Sequence, residues 1–239
     1  MQLTVKKTAK LAVPQSQSPA ITPTTFIEML AQKSHDRNVP KKDRTRYHLF
    51  HIVASAIQAD SSHSPTVEYL LSQSTLSRGT FYNHFKDIDN CVFEMLSLFM
   101  DFNAAPVLDR KERTPFESIL DTNIWYCSNY EANANLYAVI SNNAELGRIR
   151  AEQNGLWAKT VVKISERRRG KAYKAAEKRE LEGIVRILIT MTIEALRDRF
   201  VHSDALMSVS FPTAKALAVA LSRIWYQSIY VYESSSESH

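Results

Sequence analysis

Glycine, cysteine and long apolar runs are scarce in this chain of 239 residues. The five glycines, Gly79, Gly147, Gly155, Gly170 and Gly183, are too scattered for a Walker-type or dinucleotide-binding loop. Such loops need several neighbouring positions where backbone can approach a phosphate. Alternating strand patterns joined by turn pairs are also absent. The two cysteines, Cys91 and Cys127, cannot staple a framework. Both sit in apolar helical patterns, so buried free thiols and a reducing, cytoplasmic setting are expected. No apolar run reaches the ~18 residues of a membrane span. The segment Met1–Lys7, followed by Pro14 and Pro19, lacks a signal-peptide core. No His-Glu-x-x-His occurs, and His48 and His51, at i and i+3, have no convincing third ligand. No metal, no cofactor and no enzymatic activity are expected.

What remains is helical periodicity. With 44% hydrophobic and 23% charged residues the composition is globular, and a chain this long buries enough surface, about 70% of what it exposes unfolded, to fold without metals or disulfides. The net charge of +5 suits a polyanionic partner without requiring one. Residues 1–40 carry Pro14, Pro19, Pro23 and Pro40 and are expected to be a largely flexible extension, with a short helix around Thr25–Lys33. The spacing of apolar residues predicts helices over 41–59, 66–72, 77–83, 87–104, 115–130, 132–142, 144–168, 175–201 and 212–232. Pro106 ends the fourth of these, Thr114 caps the fifth, and Gly170 closes the seventh. The class is all-α. A small unit over 41–90 precedes a larger one over 91–232, and 233–239 is a polar, disordered tail.

The segment Ser77-Arg78-Gly79-Thr80-Phe81-Tyr82-Asn83-His84-Phe85 stands behind Thr66-Val67-Glu68-Tyr69-Leu70-Leu71. Together they form a short helix, a tight turn and a second short helix. Val67, Leu70 and Leu71 can anchor the first helix, Leu76 fills the turn, and Phe81 and Phe85 anchor the second. Ser77 is an N-cap. Arg78, Gly79, Thr80, Tyr82, Asn83 and His84 are left outside, where a solvated helix would usually carry Lys and Glu. Gly79 weakens a helix by about 1 kcal/mol relative to Ala, which suggests that close backbone approach is needed there.

This nonapeptide resembles the recognition-helix signature of the TetR family of transcriptional regulators. The likeness spans roughly residues 44–96 and rests on Gly79-Thr80-Phe81-Tyr82 and on Phe85, two positions after Asn83. It departs from the family at Ile88, where a Lys is usual, and in the turn Ser72-Gln73-Ser74-Thr75, where Ala and Gly are favoured. The resemblance implies an N-terminal helix-turn-helix three-helix unit plus a C-terminal helical ligand-binding and dimerisation domain. It implies a homodimer, most often a repressor, that reads an approximately palindromic double-stranded DNA operator. Arg78 and Thr80 would reach base edges; Tyr82, His84 and Lys86 would hold phosphates; Asn83 could do either. Ser77 belongs to the same DNA-facing set, Thr66 would meet a further phosphate, and Arg44 and Arg46 would touch the backbone from the basic run Lys41–Arg46.

In the larger unit the resemblance implies an effector pocket for a small hydrophobic or aromatic molecule, with Phe99, Trp125, Tyr137, Ile140, Trp157, Val161 and Met191 as candidate lining. Ile184–Ile193 is apolar nearly all round, and Leu217, Leu221, Ile224, Trp225 and Ser228 form a stripe. Ile184 and Leu188 with that stripe are the candidate dimer interface. The run Arg167-Arg168-Arg169-Gly170-Lys171 is expected to be an exposed connector. The alternative is a helical ligand sensor or protein-binding adaptor that lacks specific DNA binding.

Overall fold

A computed structural model of the chain describes residues 25–62, 64–103 and 112–231. Residues 1–24 of the expected flexible extension, the stop at Pro106 and the tail 233–239 lie outside them. Every regular element among the described residues is helical, so the chain is all-α. In order these are α1 (Phe26–His35), α2 (Lys41–Ala59), α3 (Val67–Ser72), α4 (Arg78–Tyr82), α5 (Ile88–Asn103) and α6 (Pro115–Ala132). There follow α7 (Ala134–Ser141), α8 (Ala144–Arg169), α9 (Ala175–Phe200), α10 (Ala205–Ser210) and α11 (Ala214–Tyr226), which runs into a π-helical turn at Gln227–Val231. No described helix is long and apolar enough to cross a membrane.

Local chemistry sets the boundaries. Thr25 and Thr114 each close a capping box: the hydroxyl accepts from the amide three residues on, and the carboxylate of Glu28 or Glu117 accepts from the cap's own amide. Gly170 ends α8 at φ 70°, a conformation that an L side chain resists. The six-residue α10 escaped the periodicity because it buries nothing; Asp204 caps it. Arg199 then fastens the connection to α11, donating to the carbonyls of Phe211 at 2.8 Å and Pro212 at 3.1 Å.

Residues 25–40 are not a flexible leader. Phe26 and Leu30 of α1 are fully buried, and α1 lies along α2. The Phe26 ring meets Phe99 edge-on at 5.0 Å and Phe102 at 5.6 Å, so α1 closes one side of the α2–α5 core. The buried side chains form one continuous cluster from α1 to α11, and α5 serves both of the expected units. The corner between α6 and α7 is bonded to the end of α2: Gln58 Nε2 donates to the Ala132 carbonyl at 3.2 Å, and Asn135 Nδ2 donates to the Gln58 carbonyl at 2.8 Å.

The arginine run at the end of α8 is not a free connector. Arg168 is half-buried and donates to the Arg113 carbonyl at 2.9 Å and to Ser118 Oγ at 2.8 Å. Arg169 lies over the Tyr173 ring at 5.0 Å. These groups tie the α8–α9 hairpin to α6 and to its own turn.

Candidate functional site

Helices α3 and α4 are too short to persist alone, so their orientation is set by what they bury. Val67 and Leu70 anchor α3, and Phe81, fully buried, anchors α4. Phe85 is buried just beyond, with its ring 5.7 Å from Phe81 and 5.4 Å from Phe50 of α2. This clamp leaves Arg78, Gly79, Tyr82, Asn83 and Lys86 exposed and Thr80 partly so. Tyr82 is 50% exposed, although its ring leans edge-on against Phe81. A Cβ built on Gly79 would meet nothing nearer than Ser77 Oγ at 3.8 Å. Nothing among the described residues therefore requires glycine there.

Several expected contacts have prior employment. Thr66 caps α3, its hydroxyl accepting from the Tyr69 amide at 3.1 Å, and Ser77 caps α4 by accepting from the Thr80 amide at 3.1 Å. Both act first as caps. Arg46 is half-buried, ion-paired with Glu94 of α5, and lies 5.4 Å from the Phe50 ring centre and 5.0 Å from that of Phe85. It braces the unit from within. Arg44, also half-buried, precedes it on α2, with Lys41 and Lys42 exposed. Arg78 is paired with Glu68 of α3, an acidic neighbour that the sequence motif does not reveal, but both side chains are mostly exposed. Ile88 packs partly buried against the core. His84 is half-buried with Nδ1 unpartnered, and burial, then Arg46 and Lys42, push its pKa below the usual imidazole value. Neutral, it offers a phosphate one N–H and no charge.

The second feature is a cavity of about 370 Å³ between α5, α6, α7, α8, α9 and α11. Of the expected lining residues, Trp125, Tyr137, Ile140 and Trp157 face it. Phe99, Val161 and Met191 do not. Phe99 is fully buried behind the wall, edge-on to Tyr137 at 4.9 Å. Val161 lines a smaller hollow of about 40 Å³, and Met191 is half-buried at the edge of the core. Trp225, expected at a dimer contact, lines the cavity instead; its indole donates to Thr192 Oγ1 at 2.9 Å and meets Trp157 at right angles at 5.5 Å. Asn123 donates to Ser222 Oγ at 2.9 Å, holding α6 to α11 beside the cavity. Burial raises the Tyr126 phenol to about 12 and also raises those of Tyr130 and Tyr137. The cavity wall therefore carries neutral phenols. Burial likewise lifts the Cys91 and Cys127 thiols to about 12, leaving them unreactive near neutral pH.

The expected dimer stripe divides. Leu188, Leu217, Leu221 and Trp225 are buried inside the chain, so they cannot face a second copy. Ile184 and Ser228 are half-buried and Ile224 is 43% exposed, while Ile187, 69% exposed, extends the outer face of α9.

Sequence reasoning missed the two acidic partners, Glu68 and Glu94, together with Arg150, Tyr126 and Asn103 at the cavity. Helical spacing marks which residues share a face of one helix; it carries no signal for which of six helices converge. His48 and His51 are half-buried with pKa values lowered by burial first and then by neighbouring histidines, and no cluster of metal-ligating groups is present among the described residues. No protein-family model matches this chain, and neither the curated proteins nor the solved structures contain a match to it.

Proposed function

We propose that this protein is a ligand-responsive, DNA-binding transcriptional regulator, a homodimeric repressor that reads an approximately palindromic operator with α4 in the major groove. The observation that carries the reading is the outward presentation of Arg78, Gly79, Thr80, Tyr82 and Asn83 by a five-residue helix pinned from behind by Phe81 and Phe85. The resemblance of this segment to the TetR family points the same way. Arg78 and Thr80 read base edges, and Tyr82, Lys86 and the basic start of α2 hold phosphates.

Effector occupancy reaches the DNA-reading unit through α5. Glu94, near the middle of α5, holds Arg46; the C-terminal end of the helix puts Met100 and Asn103 in the cavity wall. About 14 Å of rigid helix separates Glu94 from Asn103. Two copies pair through the outer faces of α9 and α11, around Ile184, Ile187 and Ile224, which sets the two α4 helices for half-sites one turn apart, about 34 Å.

The test is selection of duplexes from a randomised pool, followed by mobility shift across salt. Sequence-selective binding with a steep salt dependence is expected. Arg78→Ala should relax base preference, and Lys86→Ala, which removes one phosphate contact in each half-site, should weaken all duplexes alike and lower the salt slope by about 1.8. Weak binding at every salt, unmoved by either change, would refute the reading. That result would favour a helical sensor or adaptor without specific DNA binding, for which the pairing of Arg46 and Arg78 with carboxylates speaks.

A further inference from the structure

Among the described residues, the wall of the cavity contains one cation, Arg150, and no carboxylate. Arg150 enters it from α8, half-buried, and its guanidinium has no hydrogen bond or ion pair with any described residue. Two acids on helices that wall the cavity are bonded to other groups. Asp101 accepts from Gln153 Nε2 at 3.4 Å, and Glu194 pairs with Arg197 at 3.1 Å. Tyr126, Tyr130 and Tyr137 lie close enough to feel the charge of Arg150, but burial keeps these phenols protonated, so none becomes a counter-ion. A half-buried guanidinium without a carboxylate partner leaves its planar fork of donors available to a carboxylate or another oxyanion.

The rest of the wall combines aromatic rings with aliphatic side chains and with amides and hydroxyls such as Asn103, Asn123 and Thr192. The three tryptophans of the chain, Trp125, Trp157 and Trp225, all line this cavity. Trp157 and Trp225 stand at 87° to one another, making an apolar corner. The volume of about 370 Å³ lies toward the small end of ligand cavities, which run from about 300 to 1,000 Å³.

We infer that the cavity takes a small organic anion with an aromatic or cyclic body, its carboxylate on Arg150 and its ring against the indoles. This deepens the proposed effector role and rests on reading the cavity as the effector site.

The tryptophans report on the test directly, because all of them border the cavity. The full-length protein is titrated with 4-phenylbutanoate and with its neutral isostere 4-phenylbutanamide, exciting the indoles. The acid should bind about tenfold more tightly than the amide, the scale of one charge-assisted bidentate contact. Arg150→Met should bring the two within about twofold of each other by removing that contact, while Arg150→Lys keeps part of the preference. Arg150→Gln repeats the test should the methionine variant fail to fold by circular dichroism. Equal binding of acid and amide, a preference that survives the loss of the guanidinium, or no response to either compound overturns the inference. A mobility shift run with the same acid separates the two claims. Selective binding through Arg150 with unchanged DNA affinity would sink the regulatory role and leave the anion site standing.

Discussion

Gly79→Ala separates a structural glycine from a functional one. Position 79 lies in the first turn of α4, is exposed, and has ordinary helical backbone rather than the left-handed conformation that would forbid a side chain. The added methyl would touch only Ser77 Oγ at 3.8 Å, an unstrained contact. In the free protein the change should therefore stabilise. Alanine gains about 0.5–1 kcal/mol over glycine inside a helix, and a first-turn position sits at the lower end, roughly 0.5 kcal/mol. For a chain of this size that raises the Tm by about 1–2 °C. On DNA the same methyl occupies the surface that must meet the groove. Overpacking a close interface costs about 1–3 kcal/mol, and the dimer carries the methyl in both half-sites, so affinity for a selected duplex should fall by about thirtyfold or more. Thermal unfolding and fluorescence anisotropy with a labelled duplex measure the two effects on one sample. Opposite signs are expected. A destabilised variant would mean that glycine serves the fold; unchanged DNA affinity would mean that α4 does not enter the groove as argued.

Phe26→Ala should destabilise the chain by about 3–5 kcal/mol, since the ring is fully buried between Phe99 and Phe102; urea unfolding measures it, and a loss below about 1 kcal/mol would mean that α1 is only loosely docked. His48, His51 and His84 all have folded pKa values below 6.5, so the unfolded chain binds more protons as the pH falls through that value. Stability should be full above about pH 6.5 and decline below it, until the folded-state values are passed. Thermal melts across that window check it, and His48→Gln should flatten the decline; a rise in Tm on acidification would contradict the sign. Replacing Ile187 and Ile224 by Glu should convert a dimer to monomer in sedimentation while leaving the helical signal intact, because both side chains are exposed in the single chain; an unchanged sedimentation coefficient would place the interface elsewhere.

What the sequence determined by itself is local. Helix class and boundaries follow from apolar spacing, from Thr114 and Gly170 as cap and stop, and from the exclusion of strands by composition; each depends on residues within a turn or two. The inward and outward sides of α4 were legible for the same reason, since Phe81 in the helix and Phe85 just beyond its end are four residues apart and both apolar. Tertiary structure decided everything that depends on which helices meet. It docked Phe26 against Phe99 and Phe102, and it turned Trp225 into the cavity with Trp125 and Trp157. It put Glu94 on Arg46 and left Arg150 without a carboxylate among the described residues. Helical period states that a residue faces inward but not what it faces, because burial stabilises any apolar neighbour almost equally. The partner is chosen only when chain connectivity and close packing bring distant segments together.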